Sequence, residues 1–230
     1  MMILDSIDDI DFIEPLRLNM TDVFYHEDDG LIMLERESQS IMISMTDIDK
    51  FKRLWNQCHL DQYQLYDVKQ KEVVDLLINE YHKKDYFACY QAVYMASQPI
   101  EFTIPDYVSI RVLTQDYLDD VYHIYHHMSD RDYIKDRIEK KALWGLFHDG
   151  QLAGFIGMHR EGSMGILEIK KEYQRRGYGS LLESYLINEL LKQKKVPYCQ
   201  VVVGNEASLA LQRKLNMTLS TTYSYWVFDE

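Results

Sequence analysis

The sequence predicts an α+β fold, and three observations carry that prediction. Short apolar runs at strand spacing alternate with helix-period stripes along the 230 residues. Asp28-Asp29-Gly30 and Asp149-Gly150 are tight-turn signals between consecutive strand-like runs, as hairpins require. Hydrophobic residues are 47% and charged residues 27%, a balance that buries a core and keeps a polar surface.

Taken in order, Ser6 to Leu16 reads as a helix, and Phe24 to His26 and Leu31 to Leu34 as the arms of a hairpin. Ile41 and Ile43 continue the strand pattern. Thr46 is the expected N-cap of a helix holding Ile48, Phe51, Leu54 and Trp55. Gln70 to His82 gathers Val73, Val74, Leu77 and Ile78 on one helical face, and Tyr86 to Met95 reads as a buried strand. The composition shifts between Gln98-Pro99 and Pro105-Asp106, which sets the expected boundary between an α+β N-terminal domain, 1–106, and a second domain, 107–230.

In the second domain, Tyr107 to Leu113 reads as a strand, and Thr114 is the cap expected for a helix through Leu118, Val121, Tyr122 and Tyr125. Asp130 opens a short helix through Ile134 and Ile138. Strands follow at Leu143 to His148, Leu152 to His159 and Met164 to Lys170. A helix from Gly177 to about Gln193, a strand from Tyr198 to Val203, a helix from Asn205 to Leu215 and a last strand or hairpin within Thr218 to Phe228 complete the chain. No internal repeat is visible. Of the ten glycines, Gly30 alone precedes Gly145.

The net charge of −12 repels a phosphate backbone and argues against nucleic-acid binding. No apolar run reaches the roughly 20 residues of a membrane span. Asp5, Asp8, Asp9, Asp11 and Glu14 precede the first basic residue, Arg17, which is not the start of a secretory signal. Cys58, Cys89 and Cys199 show neither metal nor disulfide spacing, so a reducing cytoplasm is the expectation. His123, His126 and His127 include an i, i+4 pair, but a site usually needs three or four ligands, so no metal is expected. They are read as lining a pocket, or as exposed.

The sharpest feature is Gln174-Arg175-Arg176-Gly177-Tyr178-Gly179-Ser180, which follows a strand and opens a helix. The first N–H groups of a helix lack internal partners, the helix dipole adds positive potential, and glycines allow close approach. With two arginines, this is a pyrophosphate site. The order fits neither a dinucleotide fingerprint nor a Walker loop.

The run Leu167-Glu168-Ile169-Lys170-Lys171-Glu172-Tyr173-Gln174-Arg175-Arg176-Gly177-Tyr178-Gly179 resembles the central strand and loop of the GNAT superfamily of acyl-CoA-dependent N-acyltransferases. Asn205-x-x-Ser208-x-x-Leu211-x-x-Lys214-Leu215-Asn216-Met217 resembles its second motif. The resemblance covers 107–230. Pro197-Tyr198-Cys199 and Tyr225-Trp226 are more loosely similar to the glycine N-acyltransferase-like branch, which carries an extra N-terminal domain.

The resemblance implies a mixed, mostly antiparallel central sheet flanked by helices. It also implies an acyl-CoA co-substrate, acetyl-CoA or longer, and direct attack by a small amine or amino acid. The strand ending at Ile169 and Lys171 would splay from Cys199 to Val203 to admit the acyl-pantetheine arm, with a backbone N–H near Ile169 for the oxyanion. The loop from Gln174 to Ser180 would wrap the pyrophosphate, with Asn205 and Ser208 beside the arm.

The family's usual glutamate base falls on Ser163, so Glu161, two residues earlier, is preferred over Glu168, which a regular strand would turn to the opposite face. The usual tyrosine acid falls on Gln212, with Tyr223 or Tyr225 as substitutes. Lys171 replaces a frequent proline, and Asn216-Met217 a common Gly-Phe. A homodimer is compatible with all of this. Two other readings stay open: a non-catalytic acyl-CoA sensor, and a protein acetyltransferase docking its partner through 1–106.

Overall fold

The computed structural model describes residues 4–125 and 130–229, and these form two compact units. The first comprises the chain up to Val93 with Gln200–Glu206 and the residues from Leu219 onward. The second is Tyr94–Cys199 with Ala207–Thr218. The division falls at Val93, ahead of the compositional shift at 98–106, and it returns the last strand to the first unit.

In the first unit, α1 (Ile10–Arg17) precedes an antiparallel meander of β1 (Thr21–Glu27), β2 (Gly30–Glu35) and β3 (Ser40–Met45). Helix α2 (Ile48–Gln57) leads to β4 (Leu65–Val68), which pairs in parallel with β3, and α3 (Lys71–Asn79) leads to β5 (Asp85–Val93). The α1 helix starts at Ile10 rather than Ser6. Asp47, not Thr46, caps α2, its carboxylate accepting from the Lys50 N–H at 2.9 Å. The first half of β5 is exposed at Tyr86 and Phe87, so only its second half is the buried strand expected. Trp55 stacks on Tyr66 and Tyr81, with ring centroids 5.6 and 4.2 Å away, in a core that includes Phe51, Ile41, Ile43, Val73 and Leu77.

The second unit holds β6 (Val108–Val112), α4 (Leu118–Ile124), α5 (Arg131–Glu139) and a second antiparallel meander. The meander's strands are β7 (Leu143–His148), β8 (Gln151–Met158) and β9 (Met164–Ile169). Helix α6 (Tyr178–Lys192) leads to β10 (Tyr198–Val202), parallel to β9, and α7 (Glu206–Lys214) leads to the two-residue β11 (Thr218–Leu219). A short 3-10 turn at Gln115–Tyr117 replaces the first turn of α4 expected at Thr114. Asp130 caps α5 through two backbone bonds. Leu113, Val121, Tyr125, Ile134, Phe147, Phe155 and Ile166 bury one face of the meander against α4 and α5. The last strand, β12 (Ser224–Phe228), bonds antiparallel to both β4 and β5 and so joins the first unit's sheet.

Both units thus run meander, helix, parallel strand, helix, a repetition of plan that the sequence hides. The mixed, mostly antiparallel sheet flanked by helices matches the expectation.

Candidate active site

The site is built where β9 ends. The β8–β9 register pairs Phe155 with Glu168 and Gly157 with Gly165, so β9 carries one extra residue between them. This is a β-bulge, and Ile166 absorbs it at φ 50°. A β-branched residue in the left-handed region costs about 1–2 kcal/mol. The strain is offset by burial, since Ile166 sits in the core under α4 and α5.

The bulge changes which way Glu168 points. A regular strand would turn it from the face expected for Glu161; the extra residue instead puts Glu168 on the face of Phe155 and Gly165. Its charge, after burial, helps push the Tyr125 hydroxyl up to about 12.

The β9–β10 ladder has a single pair, Cys199 with Met164. In the first unit the matching β3–β4 ladder keeps three pairs, Ile41–Tyr66, Met42–Asp67 and Ile43–Val68. The β9–β10 ladder is thus the shorter of the two.

The exits from the two third strands also differ. In the first unit, Asp47 fills the start of α2 with a carboxylate, which repels an anion. In the second, Gln174 turns back to donate from Nε2 to the Ile169 carbonyl at 3.1 Å. Arg175 then adopts φ 62°, and Gly177 caps α6 at φ 82°. No side chain caps α6, and its first turn has no acid. The leading N–H groups of Tyr178, Gly179 and Ser180 start the helix with no intrahelical acceptor. Arg176 lies over the Tyr173 ring at 5.4 Å and bonds the Glu172 carbonyl. Beside this turn is a cavity of about 340 Å³ lined by Tyr107, His148, Arg176, Gly177, Tyr178 and Leu181, in which the Tyr178 hydroxyl lies 2.6 Å from His148 Nδ1.

The structure therefore gathers Ile169, Lys171, Gln174, Arg175, Arg176, Gly177, Tyr178, Gly179 and Ser180 around one helix start. Asn205 follows β10, its amide donating to the Val202 carbonyl, and Ser208 lies in the first turn of α7.

Among the expected catalytic groups, Glu161 is buried, and its Oε1 accepts the Ser163 hydroxyl at 2.5 Å. Gln212 is buried on α7 beside Glu183, a carboxyl on α6 that the sequence did not single out. Burial pushes Glu183 up to about 7, against hydrogen bonds from Gln212 and Cys199. Cys199 is thus a core thiol held by a carboxyl. Tyr223 and Tyr225 make edge-on ring contacts with Tyr90 and Tyr86, and Tyr223 and Tyr86 are exposed, so these pairs sit at the surface of the first unit. His123 is exposed, its Nδ1 2.6 Å from the Asp119 carbonyl oxygen; His126 and His127 lie outside the described residues. Among the described residues no three His, Cys, Asp or Glu side chains cluster to hold a metal.

Two further groups went unnoticed in the sequence. The Tyr133 hydroxyl of α5 lies 2.7 Å from Nδ1 of His159, which follows β8. A lone histidine at a strand end gives no periodic signal, so only the tertiary contact reveals the pair.

With this geometry in place, the chain can be set beside proteins of known family and structure. Residues 144–227 match the family model described as FR47-like protein. A GCN5-related N-acetyltransferase from Kribbella flavida matches over 99% of this chain and 96% of its own, at 8% identity and a TM-score of 0.63. The chain has the GNAT fold. Two further solved structures are similar in fold. A Drosophila protein matches over 87% of this chain and 74% of its own, at 17% identity and a TM-score of 0.69. A tandem GNAT protein from the clavulanic acid biosynthesis pathway matches over 95% and 87%, at 12% identity and a TM-score of 0.54. At these identities the likeness establishes the fold. No curated protein sequence matches the chain. No described helix is long and apolar enough to cross a membrane.

Proposed function

We propose that the second unit binds an acyl-CoA, acetyl-CoA in the first instance, and transfers its acyl group to a small amine or amino acid. The observation that carries the reading is the uncapped start of α6 behind the bulged strand β9. Three leading N–H groups and two arginines suit the charge and reach of a diphosphate. The co-substrate brings an activated thioester; the chain contributes binding, orientation and proton removal.

An alkylamine is protonated at neutral pH, its pKa being about 10, so a base must act before attack. Glu161 and Glu168 are the carboxylates proposed from the sequence, and both are near the bulge. Thiols ionise near about 8.5, so the thiolate leaves without strong acid help, and the buried Gln212 is tolerable there.

A second reading, a non-catalytic acyl-CoA sensor, is favoured by one observation: Gln212 is buried against Glu183 where the family has its acid. The test is acetyl-CoA binding by calorimetry, followed by free-thiol release across a panel of primary amines and amino acids. Binding with turnover supports the enzyme, and binding without turnover on any amine supports the sensor. No binding refutes both.

A further inference from the structure

We propose that His159 is the base that takes the proton from the acceptor amine, with Tyr133 as the residue that positions its ring. The inference rests on the acyltransferase reading above and names the base of that same site.

Placement is the first argument. The Nε2–Cδ2 edge of the imidazole lies against Gly165, where an added Cβ would come within 2.4 Å of Nε2. Gly165 stands between Met164, the only β9 residue paired with β10, and the bulge at Ile166. Nε2 therefore lies beside β9 just before its bulge. A carbonyl bound along β9 at Gly165 would have His159 at its edge, on the α4 and α5 face.

Availability is the second argument. Nδ1 is committed to the Tyr133 hydroxyl at 2.7 Å, and Nε2 has no partner among the described residues. His159 is half-buried, within reach of a small molecule. Glu161, by contrast, is covered, and one of its oxygens is held by the Ser163 hydroxyl. Burial, reinforced by the Glu161 charge, raises the Tyr133 hydroxyl well above its ordinary range, so it stays neutral. A neutral hydroxyl can accept from Nδ1–H, which fixes the tautomer that leaves the Nε2 lone pair free.

The Arg160 guanidinium lies over the Tyr133 ring at 5.1 Å and is held by Asp136 at 3.2 Å, which also binds Arg137. Two guanidiniums against one carboxylate leave one net positive charge there. A histidine, with an ordinary value of about 6.5, is matched to proton removal near neutral pH.

The step balances as follows. The ammonium gives one proton to Nε2, and the freed lone pair forms the N–C bond. The C–S bond breaks with its electron pair going to sulfur, and the second proton on nitrogen passes to the thiolate. His159 then releases its proton to solvent. The products are amide, free thiol and one proton.

The test uses the full chain with His159→Gln, Tyr133→Phe and Glu161→Gln, acetyl-CoA as donor, and a panel of primary amines and water as acceptors, from pH 5.5 to 9. Affinity for acetyl-CoA should be unchanged in all three. In His159→Gln, kcat should fall by about 100-fold or more and the acid limb of the pH profile should vanish. Tyr133→Phe should keep that limb with a smaller loss of kcat, and Glu161→Gln should lose less kcat than His159→Gln. If His159→Gln retains the wild-type rate and acid limb, the inference is overturned and the pair is structural. If the wild type binds acetyl-CoA but releases no thiol with any acceptor, His159 is not a base and only the binding reading survives. If the wild type does not bind acetyl-CoA, the proposed function itself fails.

Discussion

Glu183 gives a prediction whose size follows from its surroundings. Its carboxyl is buried on α6 with only Cys199 and Gln212 as partners, and its Oε2 has none. An unfolded value of 4.5 against a folded value of about 7 corresponds to about 3 kcal/mol. The sign is set by the raised value. The neutral carboxyl favours the fold fully below pH 4.5, and that advantage is lost as pH rises through about 7, because the folded state then holds a poorly solvated charge. Glu183→Gln keeps the shape and the bonding groups without the charge. Relative to the wild type, the variant should gain about 3 kcal/mol between about pH 4.5 and 8. Urea unfolding of both proteins across that range measures it as a difference, so that the other carboxylates cancel. A stability difference that stays flat with pH would show that the carboxyl is solvated or paired in solution, and the reasoning would fail.

Gly179→Leu in the first turn of α6 should fold normally, because the added Cβ meets only Ile169 and Leu211 at 4.0 Å. Acetyl-CoA affinity should drop by about 100-fold or more, about 3 kcal/mol by calorimetry, since the side chain stands where a diphosphate must approach the amides. Replacing both Arg175 and Arg176 by glutamine should weaken binding less and flatten its salt dependence, read from titrations in rising salt. In the first unit, Lys69→Met strips the buried ammonium from Asp11, which it meets at 2.6 Å, and should cost about 3–5 kcal/mol in urea unfolding. Asp130→Ala removes both cap bonds of α5 and should cost about 1 kcal/mol by the same measurement.

What the sequence determined by itself was local. Gln174 to Ser180 specifies an uncapped glycine turn because dihedral freedom and free helix amides depend on residues a few positions apart. The same holds for the meanders, for Asp130 as a cap and for the helices over Leu77 and Leu186. The resemblance to GNAT enzymes rested on those same short runs. The tertiary structure decided what depends on partners far along the chain. Pairing of Tyr225 with both Val68 and Ala88 assigns the last strand to the first unit, against a boundary drawn from composition. The bulge at Ile166 turns Glu168 to a face that alternation denies it, because burial under α4 and α5 offsets the strained backbone. His159 gains a role only by lying on Gly165 and meeting Tyr133 from α5. Periodicity records which face a residue prefers, whereas contacts between distant segments record which neighbours it obtains, and the candidate base is defined by its neighbours.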